Sequence, residues 1–392
     1  MRPALIKGTL LVTSTLTVMS GATISPSLPA IQAYFSDVPS ADFWVRLVLT
    51  MPALFIVIGA PIAGVLTDRW GRKSLLGVSV VLYGFAGASG VVLDTLWALL
   101  AGRALLGLSV AGIMTTVTTL FTDYYEGDER AALLGLQVTF MSLGGILFLS
   151  LGGVLADLSW RFPFLIYLFA FILLPFIVFA LYEPKREADG GGDAPLSQLP
   201  WRLLGIIYGV ALVMQVVFYT VPVQLPFYLE GLLSASATQS GLAIAAVTVF
   251  SAVASTFYGR FKKRFGFVVI LVVSLAVMGA GYAVIGIGRG YPVIMLGLAL
   301  GGVGLGLMMP NLNTWLSERV PDHLKGRALG GLTLFFFLGQ FLSPIATQPL
   351  ANEVGLALMY VVAGAVLVVL AVLFALLRQP VMRVARSAEG ND

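Results

Sequence analysis

The sequence predicts an all-α membrane protein of twelve transmembrane helices in two pseudo-symmetric six-helix bundles. Three observations carry that expectation. Of 392 residues, 58% are apolar and only 11% are charged, less than half the roughly 25% usual in a soluble domain, so a water-exposed surface could not be covered. The apolar residues fall in runs long enough to cross a hydrocarbon core, which takes about 20 residues of helix. The second half of the chain also repeats the glycine and charge pattern of the first.

The apolar share amounts to about 227 residues, against about 240 for twelve spans. That leaves no room for a sizeable soluble domain and disfavours nucleic-acid-binding modules and ordinary cytosolic enzymes. Zero cysteines exclude disulfides and thiolate metal sites, and the single His323 cannot build a metal cluster. No cofactor and no nucleic-acid partner are expected.

Each crossing segment must pair its own backbone groups, so the long apolar runs read as helices. They cover approximately 8–33, 43–66, 75–94, 97–121, 131–156, 162–182, 203–229, 238–258, 267–287, 292–316, 326–350 and 355–377. The first has a basic start at Arg2 and Lys7, as a signal peptide would. It runs on through Pro26 and Pro29 without a small-residue cleavage site and is read as a retained helix. Between the sixth and seventh spans, residues 183–202 begin Glu-Pro-Lys-Arg-Glu-Ala-Asp-Gly-Gly-Gly-Asp, the composition of a flexible linker. The expected organisation is a first bundle over 1–182, the linker over 183–202, a second bundle over 203–378 and a tail over 379–392.

Orientation follows from the cations, because cytoplasmic loops carry the Lys and Arg excess. With the N-terminus inside, nineteen of the 23 Lys and Arg residues fall on the cytoplasmic side. Only Arg46, Arg161 and Arg289 stand opposite, with Arg103 inside a span. Both termini are therefore expected in the cytoplasm, and the basic loops come within reach of anionic lipid.

A shift of 195 residues places Gly64 on Gly259, Gly71 on Gly266, Gly102 on Gly297, Gly107 on Gly302, Asp123 on Glu318, Arg130 on Lys325, Gly135 on Gly330 and Gly144 on Gly339. A shift of 197 aligns Leu28-Pro29 with Leu225-Pro226. Glycine is common in this chain, at 44 residues, so the charged matches weigh more than the glycines.

Gly64-Val-Leu-Thr-Asp68-Arg69-Trp-Gly71-Arg72-Lys73, after the second span, resembles the signature loop of the major facilitator superfamily. From the residues alone, Gly64 lets another helix approach, Gly71 permits a tight turn, and Asp68 among three cations is an ion-pairing centre. The resemblance implies the two-bundle major facilitator fold, with substrate bound between the halves at mid-depth. It further implies a cytoplasmic latch in which Asp68 faces the start of the eleventh helix, where the helix dipole is positive. The alternative is that Arg69, Arg72 and Lys73 only enforce orientation. In the second copy Lys263 stands where Asp68 would be, so the latch is expected to be one-sided. Asp68 is expected to pair with Arg130 or Arg327 in the outward-open state.

Arg103-Ala-Leu-Leu-Gly107 resembles the fourth-helix motif of drug and proton antiporters. Trp160-Arg161-Phe-Pro-Phe164 and Gly339-Gln340-Phe-Leu-Ser-Pro344 resemble other parts of their pattern. The fifth span departs from it: where antiporters have Gly-x-x-x-Gly-Pro-x-x-Gly-Gly, this chain has Gly144, Phe148, Leu149, Gly152 and Gly153. The central Gly-Pro is missing, which weakens the export reading and leaves the superfamily resemblance intact.

A charge within a span costs about 2.5–3.5 kcal/mol on insertion scales and marks a functional candidate. Arg103 lies roughly six residues, or about 9 Å, beyond Trp97. It is read as a proton-coupling or substrate-contacting group, with snorkelling to the headgroups as the alternative. No Asp or Glu is expected deep in a span, and the stretch Met19 to Ser25 lacks the acid that cationic-drug antiporters often carry there. Proton coupling would then fall to edge groups such as Asp68 or Asp123, or act through Arg103. A neutral or amphipathic substrate is favoured over a cationic one.

The family's cavity is lined by its first, fourth, seventh and tenth helices. These nominate Thr23, Ser25, Thr115, Thr119, Gln215, Tyr219, Gln224, Asn311 and Asn313, with Gln340 added from the eleventh. Any one of them is more often a helix-packing hydrogen bond than a substrate ligand. The function the resemblance implies is proton-coupled efflux of a small molecule by a monomer in a bacterial inner (plasma) membrane. Uptake or facilitated diffusion of a neutral solute is the alternative, and a lipid enzyme or receptor a distant one.

Overall fold

A computed structural model describes residues 3–184 and 199–377. Most of the expected linker, with Lys185 and Arg186, and the expected tail 379–392 lie outside the described residues. Within them the chain is helical with no strand. The membrane-length helices are α1 (Pro3–Tyr34), α2 (Ala41–Trp70), α3 (Arg72–Val91), α4 (Leu96–Tyr124), α5 (Gly127–Leu158), α6 (Phe162–Ala180), α7 (Trp201–Leu233), α8 (Ala237–Arg264), α9 (Phe267–Ile287) and α10 (Tyr291–Arg319). A final run, Lys325–Leu376, contains Gly355 at φ 81° and ψ 160°, which is not helical. Gly355 divides it into α11 (325–354) and α12 (356–376), which completes the twelve crossings.

Helices α1, α6 and α7 are interrupted in a way the hydropathy does not imply, and in α1 and α6 a proline lies at the break. In α1 a 3-10 turn at Ser25–Ser27 carries Pro26, whose missing N–H cannot continue the ladder. The α7 ladder is interrupted at Tyr219 between Trp201–Phe218 and Thr220–Leu233. The first stretch of α6, Phe162–Leu168, is 3-10 and contains Pro163. Elsewhere the helices overshoot the apolar windows: α2, α8 and α10 end at Trp70, Arg264 and Arg319, so the charged motif residues ride on helix ends.

The chain divides into two compact units, Met1–Glu187 with Pro222–Ala245 and Ala188–Val221 with Ala246–Asp392. The second half of α7 and the start of α8 therefore pack with α1 to α6. Inside each unit the same close approaches recur. A Cβ on Gly107 would lie 2.4 Å from the Pro52 carbonyl oxygen, and one on Gly302 would lie 2.6 Å from that of Val247. Both members of the second contact are displaced by 195 residues from the first. Glycine at these crossings of α4 on α2 and α10 on α8 brings backbones into direct contact, which compensates for the lack of a hydrophobic drive between helices in lipid. Likewise Gly144 of α5 meets Thr15 of α1, and Gly339 of α11 meets Gln215 of α7. The repeat read from the sequence is thus a repeat of packing contacts. Large apolar side chains such as Phe85, Ile172 and Phe179 remain exposed on the helix faces, as expected where lipid replaces water.

Candidate functional site

The signature loop is built around Gly71, at φ 88° and ψ 159°, a conformation in which a Cβ is strained. That turn starts α3 with its first backbone N–H groups pointing at Glu183. The Arg72 N–H donates to Glu183 Oε1 at 2.6 Å and the Lys73 N–H to Oε2 at 2.8 Å. A carboxylate on an α-helix N-terminus satisfies orphan donors and meets the positive end of the dipole. Glu183 is held there by its neighbour: Tyr182 stacks on Tyr124 at 4.4 Å and donates its N–H to the Tyr124 hydroxyl. The two cations close the cluster. Arg72 Nε donates to Asp123 Oδ2 at 3.1 Å, and Lys73 Nζ to the Val178 carbonyl at 2.7 Å, near the C-terminus of α6.

Asp123 and Arg72, Lys73 and Gly71 are therefore brought together, along with Glu183, which the sequence reading left in the linker. Its signal was a lone carboxylate directly after an apolar span and before Pro184. Asp68 and Arg69 are exposed on the last turn of α2, and Arg130 is exposed on α5. Among the described residues Asp68 makes no ion pair, so the expected partnership with Arg130 is not formed in this conformation. Among the described residues no atom lies within 4 Å of a Cβ placed on Gly64, so the close approach that glycine would allow is not used there. Arg327 lies at the start of α11, in the other unit.

Arg103 is 1% exposed and does not snorkel. Its guanidinium donates from Nε to the Val48 carbonyl at 3.1 Å, from Nη1 to the Tyr167 hydroxyl at 3.0 Å and from Nη2 to the Ser20 carbonyl at 2.7 Å. Tyr167 also offers its ring at 5.2 Å. These acceptors come from α1, α2 and α6, so one side chain of α4 ties three other helices together. All of them are neutral. A buried cation with no carboxylate beside it is expensive unless every donor is directed, and the helix breaks of α1 and α6 lie near the residues that direct them.

A second buried arginine was not anticipated. Arg46, expected on the side opposite the basic loops, is 5% exposed within α2. It donates from Nε to Gln224 Oε1 at 2.7 Å and from Nη1 to Gln32 Oε1 at 3.1 Å, and lies 4.0 Å from the centre of the Phe227 ring. Gln32, Asp42 and Phe227 also line a cavity of about 530 Å³, with Ser36, Ser40 and Glu230. Ser25 donates to the Pro222 carbonyl, and Asp157 of α5 accepts the N–H groups of Ala237 and Thr238 at the start of α8. These contacts hold Pro222–Ala245 in the first unit. Position three residues inside a predicted span was the available signal for Arg46.

The remaining lining candidates divide by burial. Thr23, Ser25, Gln215, Tyr219, Gln224 and Asn311 are buried, Thr115, Thr119 and Gln340 are half-buried, and Asn313 is exposed. Thr23 donates to the Met19 carbonyl and Thr119 to that of Thr115, both within their own helices. Asn313 donates to Met309, and Asn311 reaches across to the Phe267 carbonyl at 3.0 Å. Among the described residues Gln215 Oε1 and Asn311 Oδ1 are buried acceptors without a hydrogen bond.

The chain matches the family described as the Major Facilitator Superfamily twice, over residues 10–233 and 207–391. It is 26% identical over 349 residues to the tetracycline resistance protein, class C, of Escherichia coli, covering 85% of this chain and 86% of that protein. It is 24% identical over 348 residues to the bacillibactin exporter of Bacillus subtilis (strain 168), covering 83% and 85% respectively. Among solved structures, a bacterial homologue of the human lysosomal transporter Spinster, inward-facing and unoccupied, superposes with a TM-score of 0.80 at 17% identity over 99% of each chain.

Proposed function

The chain belongs to the major facilitator superfamily, and on that premise we propose that it is a secondary active transporter that exports a small neutral or amphipathic molecule by alternating access, coupled to protons. One observation carries the substrate class. Arg103 is a buried cation whose three hydrogen-bond acceptors are all neutral. A cationic substrate would be repelled there, whereas the acceptors of Gln215 and Asn311 suit a ligand that donates hydrogen bonds. The direction is supported by the relatives, one a resistance protein and one an exporter by name.

In this reading transport proceeds by alternating access, and Thr23, Thr115, Thr119, Gln215, Tyr219 and Gln340 are the candidate substrate contacts. Both termini and the Lys/Arg-rich loops face the cytoplasm, and one polypeptide suffices for transport. The loop from Gly64 to Lys73 is the cytoplasmic gate. Its Arg72–Asp123 pair keeps that gate rigid within its unit, which leaves Asp68 exposed to engage a partner such as Arg327 when the gate shuts. Arg103, holding α1, α2 and α6 through neutral acceptors, transmits protonation at the edge to the helix packing.

Everted membrane vesicles offered tetracycline, bacillibactin and neutral analogues, with and without a pH gradient, test the proposal. Export predicts accumulation that collapses when the gradient is dissipated, and Asp68→Asn reduces the rate at least severalfold. Accumulation that ignores both the pH gradient and the membrane potential would sink antiport. The uptake alternative draws on α5, which runs unbroken over Gly127–Leu158 with Phe148 and Leu149 buried where antiporters carry Gly-Pro. Right-side-out vesicles that fill with a neutral solute would favour it.

A further inference from the structure

We propose that the end of α8 is a binding site for the headgroup phosphate of an anionic phospholipid. Residues Arg260, Lys262, Lys263 and Arg264 place four cations within five positions of the helix end. They are not equivalent. Lys262 turns inward, 3.7 Å from the centre of the Phe267 ring and 3.8 Å from Glu318 Oε2. Arg260, Lys263 and Arg264 are exposed, and among the described residues none has a carboxylate within ion-pairing distance. With Phe261 and Phe265 they line a concavity of about 380 Å³.

The apolar half of the site sits on the same face. Phe257 and Phe261 are one helical turn apart, as are Arg260 and Arg264, so the rings and guanidinium groups form adjoining stripes. Phe257, Phe261 and Phe265 are 42%, 39% and 45% exposed, and Arg260 lies 5.3 Å from the centre of the Phe257 ring. On a spanning helix an exposed aromatic stripe that ends in cations spans the acyl-to-headgroup boundary. Unpaired cations at that depth attract anionic lipid by about 1 kcal/mol each, and basic pockets between helices bind such headgroups. A soluble phosphate would use the cations and leave the rings bare, so the lipid is the occupant that fits both halves.

The test is native mass spectrometry of the full-length protein with phosphatidylglycerol, phosphatidylcholine or glycerol phosphate added. The wild-type protein is expected to retain phosphatidylglycerol in preference to phosphatidylcholine. The triple substitution Arg260→Gln, Lys263→Gln, Arg264→Gln is expected to weaken that retention roughly tenfold or more. Lys262→Gln leaves it within about twofold of wild type, because Lys262 faces inward. Phe257→Ser with Phe261→Ser weakens lipid retention severalfold. Equal retention by wild type and triple variant overturns the site, as does phosphatidylcholine held as tightly as phosphatidylglycerol. Displacement of the lipid by an equal concentration of glycerol phosphate overturns the lipid and leaves a free-phosphate site. Should the triple variant fail to fold, Arg264→Gln alone, with about fivefold weaker retention expected, decides between the same outcomes.

Discussion

The turn between α2 and α3 and the turn between α8 and α9 occupy the same place in the sequence repeat, yet they close with different chemistry. In the first, Gly71 has φ 88°, Glu183 caps the following helix and Arg72, one residue after the glycine, pairs with Asp123. In the second, Gly266 has φ −75°, Phe267 replaces Arg72, and its ring stacks on Trp315 with centroids 5.6 Å apart and planes at 2°. The acid is retained at Glu318, but its cation is now Lys262, before the glycine. One turn is therefore organised by carboxylates and the other by an aromatic stack, and this difference frees Arg260, Lys263 and Arg264 to face outward. A duplicated scaffold preserved its crossings and gave its two equivalent helix ends different chemistry.

The sharpest way to break that contrast is at the two glycines. Gly71→Ala places a Cβ in a conformation that costs about 1–3 kcal/mol and lies 2.7 Å from Glu183 Oε1, so the cap must also move. Gly266→Ala meets no atom within 4 Å at an ordinary φ, and its effect is neutral or stabilising by about 0.4–1 kcal/mol through the unfolded chain. Thermal unfolding in detergent should separate the two variants by several degrees in Tm. Equal Tm values would mean that the turns are mechanically alike.

How far the sequence could anticipate this depends on the reach of the signal. Apolar runs and the 195-residue shift located twelve crossings, and the tight turn at Gly71 was visible in the motif, whereas the close approaches fall at Gly107 and Gly302, matched only as repeat positions, and not at Gly64. Arg103 was legible as a charge in an apolar run. Its partners were not, because two of them are backbone carbonyls of Val48 and Ser20, which any residue could supply. Glu183 was missed for a related reason: its ligands are backbone N–H groups some 110 residues away in the chain. Arg46 lay inside the 43–66 span, but its burial was not legible because its partners Gln32 and Gln224 are neutral side chains on other helices.

A smaller effect is expected at the cap itself. Glu183→Gln keeps the shape and an acceptor for one N–H but removes the charge facing the α3 dipole. The expected loss is about 1 kcal/mol. Because the cap fixes the loop that presents Asp68, the transport rate should fall along with Tm. A loss of Tm without any loss of rate would detach the cap from the gate.

The smallest contrast is between the two ion pairs, and it needs double-mutant cycles because Lys262 has two partners. The Arg72–Asp123 contact is 3.1 Å with side chains 16% and 25% exposed, while Lys262–Glu318 is 3.8 Å with 28% and 50% exposed. Removing Lys262 alone also removes its place over the Phe267 ring, so a single substitution overstates the pair. A cycle of Lys262→Gln with Glu318→Gln cancels that contribution and isolates the coupling. The closer and better-shielded first pair should show a coupling of about 0.5–1 kcal/mol, and the second about 0.3 kcal/mol or less, falling further as salt is raised. Equal couplings would mean that the acid at Glu318 does the same work as Asp123 and that the second turn has kept its ion-pairing role; unequal couplings locate the loss of that role in the replacement of Arg72's position by Phe267.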